Sequence, residues 1–276
     1  GAFAESDSDS WDNTSGSFVA NWALTDNINL YGRIAQGWKS GGFNGEAPTA
    51  QAFHESYDPE EVLAYELGMK ARFFDDSLQL NLAAFYNDIT DMQFSVFLEG
   101  SGGAASTVAN AGEATSQGFE VELLWMPISV LAISANYGYL DVEYDEFIEG
   151  GQNVADFKDV PFSPENTLSV ALDWNVGNWD WGHLDFHVNY NYNDEYVPYT
   201  DPGQNATSQI DSFEIVNASL ILSEVPVGGE MTMQFGLWGK NLADEEYRKH
   251  TIPFGFWTAS YFGDPLSYGF DARLNF

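Results

Sequence analysis

The sequence predicts an all-β protein, an antiparallel transmembrane β-barrel segment of about eleven strands. Three observations carry this. Apolar residues recur with a period of two, the alternating runs are long enough to cross a bilayer, and the connections alternate between short and long.

The last segment shows the period. Leu266, Tyr268, Phe270, Ala272, Leu274 and Phe276 fall on one face, and Ser267, Gly269, Asp271, Arg273 and Asn275 on the other. "HLDFHVNYNY" sets Leu184, Phe186, Val188, Tyr190 and Tyr192 against Asp185, His187, Asn189 and Asn191. "YELGMKARF", "GFEVELLW", "NTLSVALDW" and "MTMQFGLWGK" repeat the pattern. These runs are about 9 to 15 residues long. Strands of soluble sheets have roughly 5 or 6 residues, whereas a tilted strand needs roughly 9 to 11 to cross a bilayer.

In chain order the strands are expected near 16–24, 27–38, 60–73, 77–97, 113–126, 129–144, 164–175, 180–195, 210–223, 230–240 and 266–276. Residues 1–15 read as a loop or the remnant of a preceding strand. The short connections are "TDN" (25–27), "DDS" (75–77), "MP" (126–127), "NVGNW" (175–179) and "EVPVGG" (224–229). The long ones, near 39–59, 97–112, 145–163, 196–209 and 241–265, are polar and rich in Gly, Asp and Asn. Short turns at one end and long loops at the other are the layout of an outer-membrane barrel. Trp22, Trp38, Phe73, Phe74, Trp125, Trp174, Trp179, Trp181, Tyr196 and Tyr199 lie near expected strand ends, where interfacial girdles form. Bacterial barrels close with an even strand number and both ends in the periplasm. An odd count leads to the expectation of at least one further strand upstream, because open edges in lipid leave backbone groups unpaired.

Composition narrows the function. Against 42 acidic residues stand 9 basic ones, a formal charge of −33. Nucleic-acid binding needs clustered Lys and Arg, so that class is excluded. An aromatic content of 16% sets the chain apart from disordered acidic proteins. With no cysteine there is neither disulfide nor thiolate metal site.

Three motifs fall short of a site. "GRIAQGWKSGG" has Trp38 between Gly37 and Lys39, where a phosphate loop needs Gly-Lys entering a helix. His183 and His187 would lie roughly 13 Å apart on a strand, too far for a shared metal; they read as lumen-facing polar residues. "DSDSWDN" (7–13) has carboxylates at spacing two but lacks the Gly and distal Glu of a calcium loop. No catalytic set, metal site or cofactor is expected, and the chain does not read as an enzyme. Ligand contacts are expected in the outer loops, where aromatics mix with amides and acids. The candidates are Trp38, Phe43, Asn44, Tyr57, Tyr196, Tyr199, Tyr247, Arg248, His250 and Trp257, with His54, Asn205, Phe254 and Phe256 beside them. The alternative for these residues is loop–loop packing. Few basic residues make a strongly anionic ligand a poor match.

Several ordered motifs together resemble the C-terminal half of a TonB-dependent outer-membrane receptor. They are "YGRIAQGWKSGGFN" (31–44), "YDPEEVLAYELGMKARFFDDSLQLNLAAFYNDITDMQ" (57–93), "NAGEATSQGFEVELLWMP" (110–127), "GKNLADEEYRKH" (239–250) and the terminal "YGFDARLNF" (268–276). The resemblance covers about 16–276. It implies a barrel of about 22 strands with an N-terminal plug, in the outer membrane of a Gram-negative bacterium. Such a receptor imports a scarce nutrient, above all a ferric siderophore, energised by TonB acting on a plug that this chain lacks. It also implies that Tyr268, Phe270, Leu274 and Phe276 form the signal read by the barrel-insertion machinery, and that membrane lipid is a partner. The rival readings are a passive outer-membrane pore and a soluble secreted glycan-binding β-protein.

Overall fold

The computed structural model describes residues 6–276 apart from 46, 48, 98–105, 111, 150 and 255–256. The strands are β1 (Ser17–Thr25), β2 (Ile28–Lys39), β3 (Gly42–Phe43), β4 (Ser56–Tyr57), β5 (Glu60–Phe73), β6 (Leu78–Thr90), β7 (Gln93–Phe97), β8 (Ser106–Asn110) and β9 (Gly112–Ile128). They continue as β10 (Leu131–Glu149), β11 (Gln152–Asn153), β12 (Asn166–Trp179), β13 (Gly182–Asn193), β14 (Phe213–Gly228), β15 (Met231–Lys240), β16 (Arg248–Pro253), β17 (Thr258–Phe262) and β18 (Ser267–Asn275). Two short helices, α1 (Ala50–His54) and α2 (Pro202–Asn205), lie in loops.

Eleven strands form one antiparallel meander in the order β1-β2-β5-β6-β9-β10-β12-β13-β14-β15-β18, with β11 appended to β10. β1 and β18 stand at the two ends of this order. All eleven expected strands are present, and the connections alternate without exception. Residues 26–27, 74–77, 129–130, 180–181 and 229–230 make tight turns at one end; 40–59, 91–111, 150–165, 194–212 and 241–266 make long loops at the other.

Three expected turns are corrected. "MP", "NVGNW" and "EVPVGG" lie mostly inside β9, β12 and β14, and the chain reverses a few residues later. Each instead sits where the ladder slips, between Leu131 and Ile133 of the strand facing Pro127, between Asn175 and Gly177, and between Leu222 and Val225. Pro, Gly and a left-handed residue such as Glu224 (φ 55°) suit a bulge as well as a turn. The expected strand 77–97 also divides. It leaves the sheet at Asp91 (φ 54°), and β7 pairs with β8 as a separate hairpin. β16–β17 and β3–β4 are further loop hairpins.

Register aligns the two faces across the whole sheet. Trp22, Leu30, Met69, Leu82, Val121, Tyr137, Leu168 and Tyr192 follow one another as direct partners from β1 to β13. The opposite face carries Asn29, Lys70, Asn81, Glu122, Asn136, Ser169 and Asn191 in the same way. Cavities of about 470 and 500 Å³ open on the polar face, against Arg33, Glu66 and Glu122 and against Asn136, Ser169 and Asn191. The polar face is therefore the concave one, and the apolar face is the convex, outward one.

The outward face is bounded. On β6 it runs from Leu78 to Tyr86, on β10 from Leu131 to Tyr139, and on β13 from Leu184 to Tyr192. Each run has nine positions. Eight steps at about 3.3 Å give about 26 Å of strand, a bilayer crossing once tilt is allowed for. Phe73, at the tight-turn end of β5, and Tyr268, near the long-loop end of β18, lie on one continuous row of partners through Leu78, Trp125, Ile133, Leu172, Val188, Ala218 and Gly239. A row perpendicular to the strands thus drifts from one membrane boundary to the other, as inclined strands require.

The polar face keeps its lumen clear by pairing aromatic rings with glycine. Tyr31 faces Gly68, Phe85 faces Gly118, and Trp238 faces Gly269. A Cβ on Gly68 would collide with the Tyr31 ring, whose hydroxyl donates to Glu66 Oε1 at 2.6 Å. Gly68→Ala is expected to lift the ring, break that bond and destabilise the barrel by about 1–3 kcal/mol. Urea titration of the folded protein measures this, and restoration by Tyr31→Ala in the Gly68→Ala background confirms the cause.

Candidate ligand-binding face

A one-layer wall with lipid on one side and water on the other has little interior, so the buried residues gather in the long-loop layer. Ala114, Tyr144 and Phe147 are buried there, packed against Ile89, Met92, Phe94, Val154, Ala155 and Val160. The Phe94, Tyr144 and Phe147 rings meet pairwise at 5.3–5.4 Å. This cluster joins the β7–β8 hairpin to β10 and to the loop after it.

On one flank, residues 6–16 run along loop 40–59. Trp11 meets Phe43 edge-on at 6.0 Å, and Phe43 stacks on Phe53 at 5.9 Å. His54 Nδ1 lies 2.6 Å from Asp7 Oδ2, and that hydrogen bond holds the Asp7 carboxyl below its ordinary range. Two asparagines and a glutamine tie loop to loop. Asn44 donates to Val108 O at 3.1 Å and accepts from its N–H. Asn110 donates to Asp58 O and Asp91 O, while the Asp58 N–H donates back to Asn110 Oδ1. Gln93 donates to Ser40 O and Asp58 O.

On the other flank, loops 150–165, 194–212 and 241–266 interlock. Tyr199 donates to Thr251 O at 2.7 Å, Thr251 donates to Ser208 O at 2.6 Å, and Asn205 bonds Asp159 and Tyr199 O. Tyr196 donates to Lys249 O and packs on Phe162 at 6.0 Å. Burial pushes the Tyr196 and Tyr199 phenols up. At the root of the loop, the Asn166 amide is the main cause holding the Asp194 carboxyl down. Arg248 is spent on Asp211 at 2.9 Å, Lys158 on Glu149 at 2.8 Å, and Lys249 lies over the Tyr247 ring at 5.8 Å.

Most of the candidates are therefore brought together by packing on each other. Phe43, Asn44 and Tyr57 belong to the first flank; Tyr196, Tyr199, Tyr247, Arg248 and His250 belong to the second, His250 stacking on Phe162 at 6.3 Å. Trp38 stands apart: its partner is Glu61 and its parity is that of Ile34, which puts it on the outward face of β2. Trp257 stacks on Phe254 at 4.2 Å near the tip of the β16–β17 hairpin, and both rings remain about half exposed, at 50% and 49%. Phe256 lies outside the described residues. Phe162 and Tyr261, exposed beside His250, were not singled out from the sequence. They sit in unpatterned loops, and only their ring chemistry hinted at a role.

Residues 28–39 are strand throughout. His187 pairs with Asp173 at 2.7 Å and His183 with Glu224 at 2.7 Å, two separate carboxylates on the polar face. Among the described residues no group of three metal-ligating side chains occurs.

The family model described as TonB dependent receptor-like, beta-barrel matches residues 1–242. The chain belongs to the TonB-dependent receptor β-barrel family. It is thus part of an outer-membrane protein, and its sheet is a segment of that family's barrel wall. The pesticin receptor of Yersinia enterocolitica is 37% identical over 114 residues, 41% of this chain and 16% of that protein. The metal-pseudopaline receptor CntO of Pseudomonas aeruginosa is 26% identical over 261 residues, 92% of this chain and 32% of that protein. The crystal structure of the ferric yersiniabactin uptake receptor FyuA from Yersinia pestis shares the fold, with a TM-score of 0.75 at 24% identity, covering 95% of this chain and 37% of that one. The chain spans about a third or less of the length of these two curated relatives.

Proposed function

We propose that this chain forms the C-terminal half of a barrel of about 22 strands in an active-transport receptor that is not an enzyme. The receptor binds a scarce nutrient at the loop face, most favourably a ferric siderophore, and imports it with energy from TonB acting on a plug outside this chain. The observation that carries the reading is the aromatic loop layer capping a polar concave wall. Relatives named for ferric or metal chelates support the choice of ligand. Loop cations committed to loop acids favour a chelate without strong negative charge.

The test is uptake of radio-iron chelates by cells carrying or lacking the receptor gene. Receptor-dependent uptake that stops when the inner-membrane proton gradient is dissipated is the expected result. Uptake that persists without the gradient and sorts solutes by size favours the second reading, a passive pore.

We propose that β18 supplies an assembly element. Tyr268, Phe270 and Leu274 share the outward face of β18, and Phe276, just past its end, is 93% exposed. Deleting Phe276 from the full-length receptor is expected to lower the inserted, heat-modifiable fraction in outer-membrane preparations. An unchanged fraction removes the insertion role from this residue.

A further inference from the structure

The two rims of the outward face differ in chemistry. Toward the tight turns it ends on Trp and Phe, with Trp22, Trp125, Trp174 and a Trp179–Trp181 stack at 4.8 Å. Toward the long loops it ends on phenols: Tyr86, Tyr139 and Tyr192 close the runs on three strands. One position farther out on the same face stand Asp88 beyond Tyr86 and Asp141 beyond Tyr139, with Gln117 and Glu214 as cross-strand neighbours. All four are exposed. The six basic residues on the barrel-wall strands, Arg33, Lys39, Lys70, Arg72, Lys240 and Arg273, all have the opposite parity and face the lumen.

This collar meets the outer-leaflet headgroups with phenol hydroxyls, carboxylates and an amide, and with no cation. A lipid phosphate there meets no Lys or Arg and is repelled by carboxylates. A sugar headgroup fits: its hydroxyls donate to the carboxylates, among them Asp141, which already accepts from the Gln117 amide at 3.0 Å, and accept from the phenols, and its C–H faces lie on the rings. We propose that the long-loop rim of this barrel binds the uncharged, hydroxyl-rich headgroup of a glycolipid rather than a lipid phosphate. The inference rests on the family's membrane setting and on register, and is independent of which nutrient is carried.

The test reconstitutes the full-length receptor in phosphatidylcholine vesicles containing either a neutral galactolipid or phosphatidylglycerol. Native mass spectrometry reads retained lipid, and thermal melting reads stabilisation. Preferential retention of galactolipid with a raised melting midpoint is expected. Tyr86→Phe with Tyr139→Phe keeps both rings and removes both hydroxyls, and is expected to lower galactolipid retention about fivefold per phenol. Asp88→Lys with Asp141→Lys is expected to turn the preference toward phosphatidylglycerol. Phosphatidylglycerol held as well as galactolipid by the unmodified receptor, or retention indifferent to the phenols, overturns the proposal. Barrels that fail to insert are recognised by lost heat-modifiability and leave the unmodified receptor's lipid preference as the deciding result.

Discussion

Replacing Val188 by Arg is expected to cost the assembled receptor about 2–4 kcal/mol, while Asn189→Arg, one residue along, costs little. Val188 stands in the middle of the nine-position run of β13, between Leu172 and Ala218 on the outward face. A guanidinium there lies near the bilayer midplane, and its charge reaches neither rim without distorting the strand. Asn189 lies between Ala171 and Asn217 on the concave face, where water solvates a charge. Reversible unfolding from lipid vesicles in urea measures both. Phe186→Arg and Leu220→Arg, direct partners nearer the tight turns, extend the series and are expected to cost somewhat less with distance from the midplane. Equal costs for Val188→Arg and Asn189→Arg sink the assignment of faces.

The face assignment was legible in the sequence because period two survives any environment. Side chains alternate whatever the strand borders, so Leu184 to Tyr192 announced their common face without a partner. The punctuation was less legible. Asn175–Gly177 and Glu224–Gly229 carry turn chemistry, but a bulge uses the same left-handed or N–H-free residues. Only the ladder decides between them. The loop hairpins were hidden for a related reason: β7 continues the apolar pattern of β6, and Asp91, where the chain leaves the sheet, is one polar residue in a polar stretch.

The candidate ligand residues were legible as chemistry and not as geometry. Tyr199 and Asn44 look like ligand contacts in a sequence, and the fold commits both to bonds between loops. Trp38 sits at a strand end, where parity decides between the inner and the outward face; alternation from Ile34 gives the outward face. What remains free, the Phe254–Trp257 stack, gains its exposure from a hairpin that period and composition did not announce.

Several segments that carried the family resemblance prove to be those that fasten the loops. Asn241, in "GKNLADEEYRKH", is 3% exposed with φ 49°. Its side chain accepts from the Glu245 N–H at 2.9 Å and donates to Glu245 O at 2.8 Å and Asp264 O at 3.0 Å. Its own N–H donates to Asn217 Oδ1 at 2.9 Å. One residue thus ties the two roots of loop 241–266 to each other and to β14. Asn tolerates a left-handed backbone better than other residues with a side chain, so both the conformation and the amide are used. Asn241→Ala removes three hydrogen bonds, leaves buried backbone groups unpaired and strains φ. The expected local cost is about 2–4 kcal/mol. Because the barrel ladder does not depend on this side chain, heat-modifiability should persist while protease cleavage and hydrogen exchange rise within 241–266. Asn241→Gly relieves the strain without restoring the bonds, and should recover only about 1 kcal/mol. Full recovery by glycine means that backbone conformation, not the amide, holds the loop. A barrel that unfolds with the loop means that the outer layer and the wall form one cooperative unit, and that the loop face cannot move without the membrane strands beneath it.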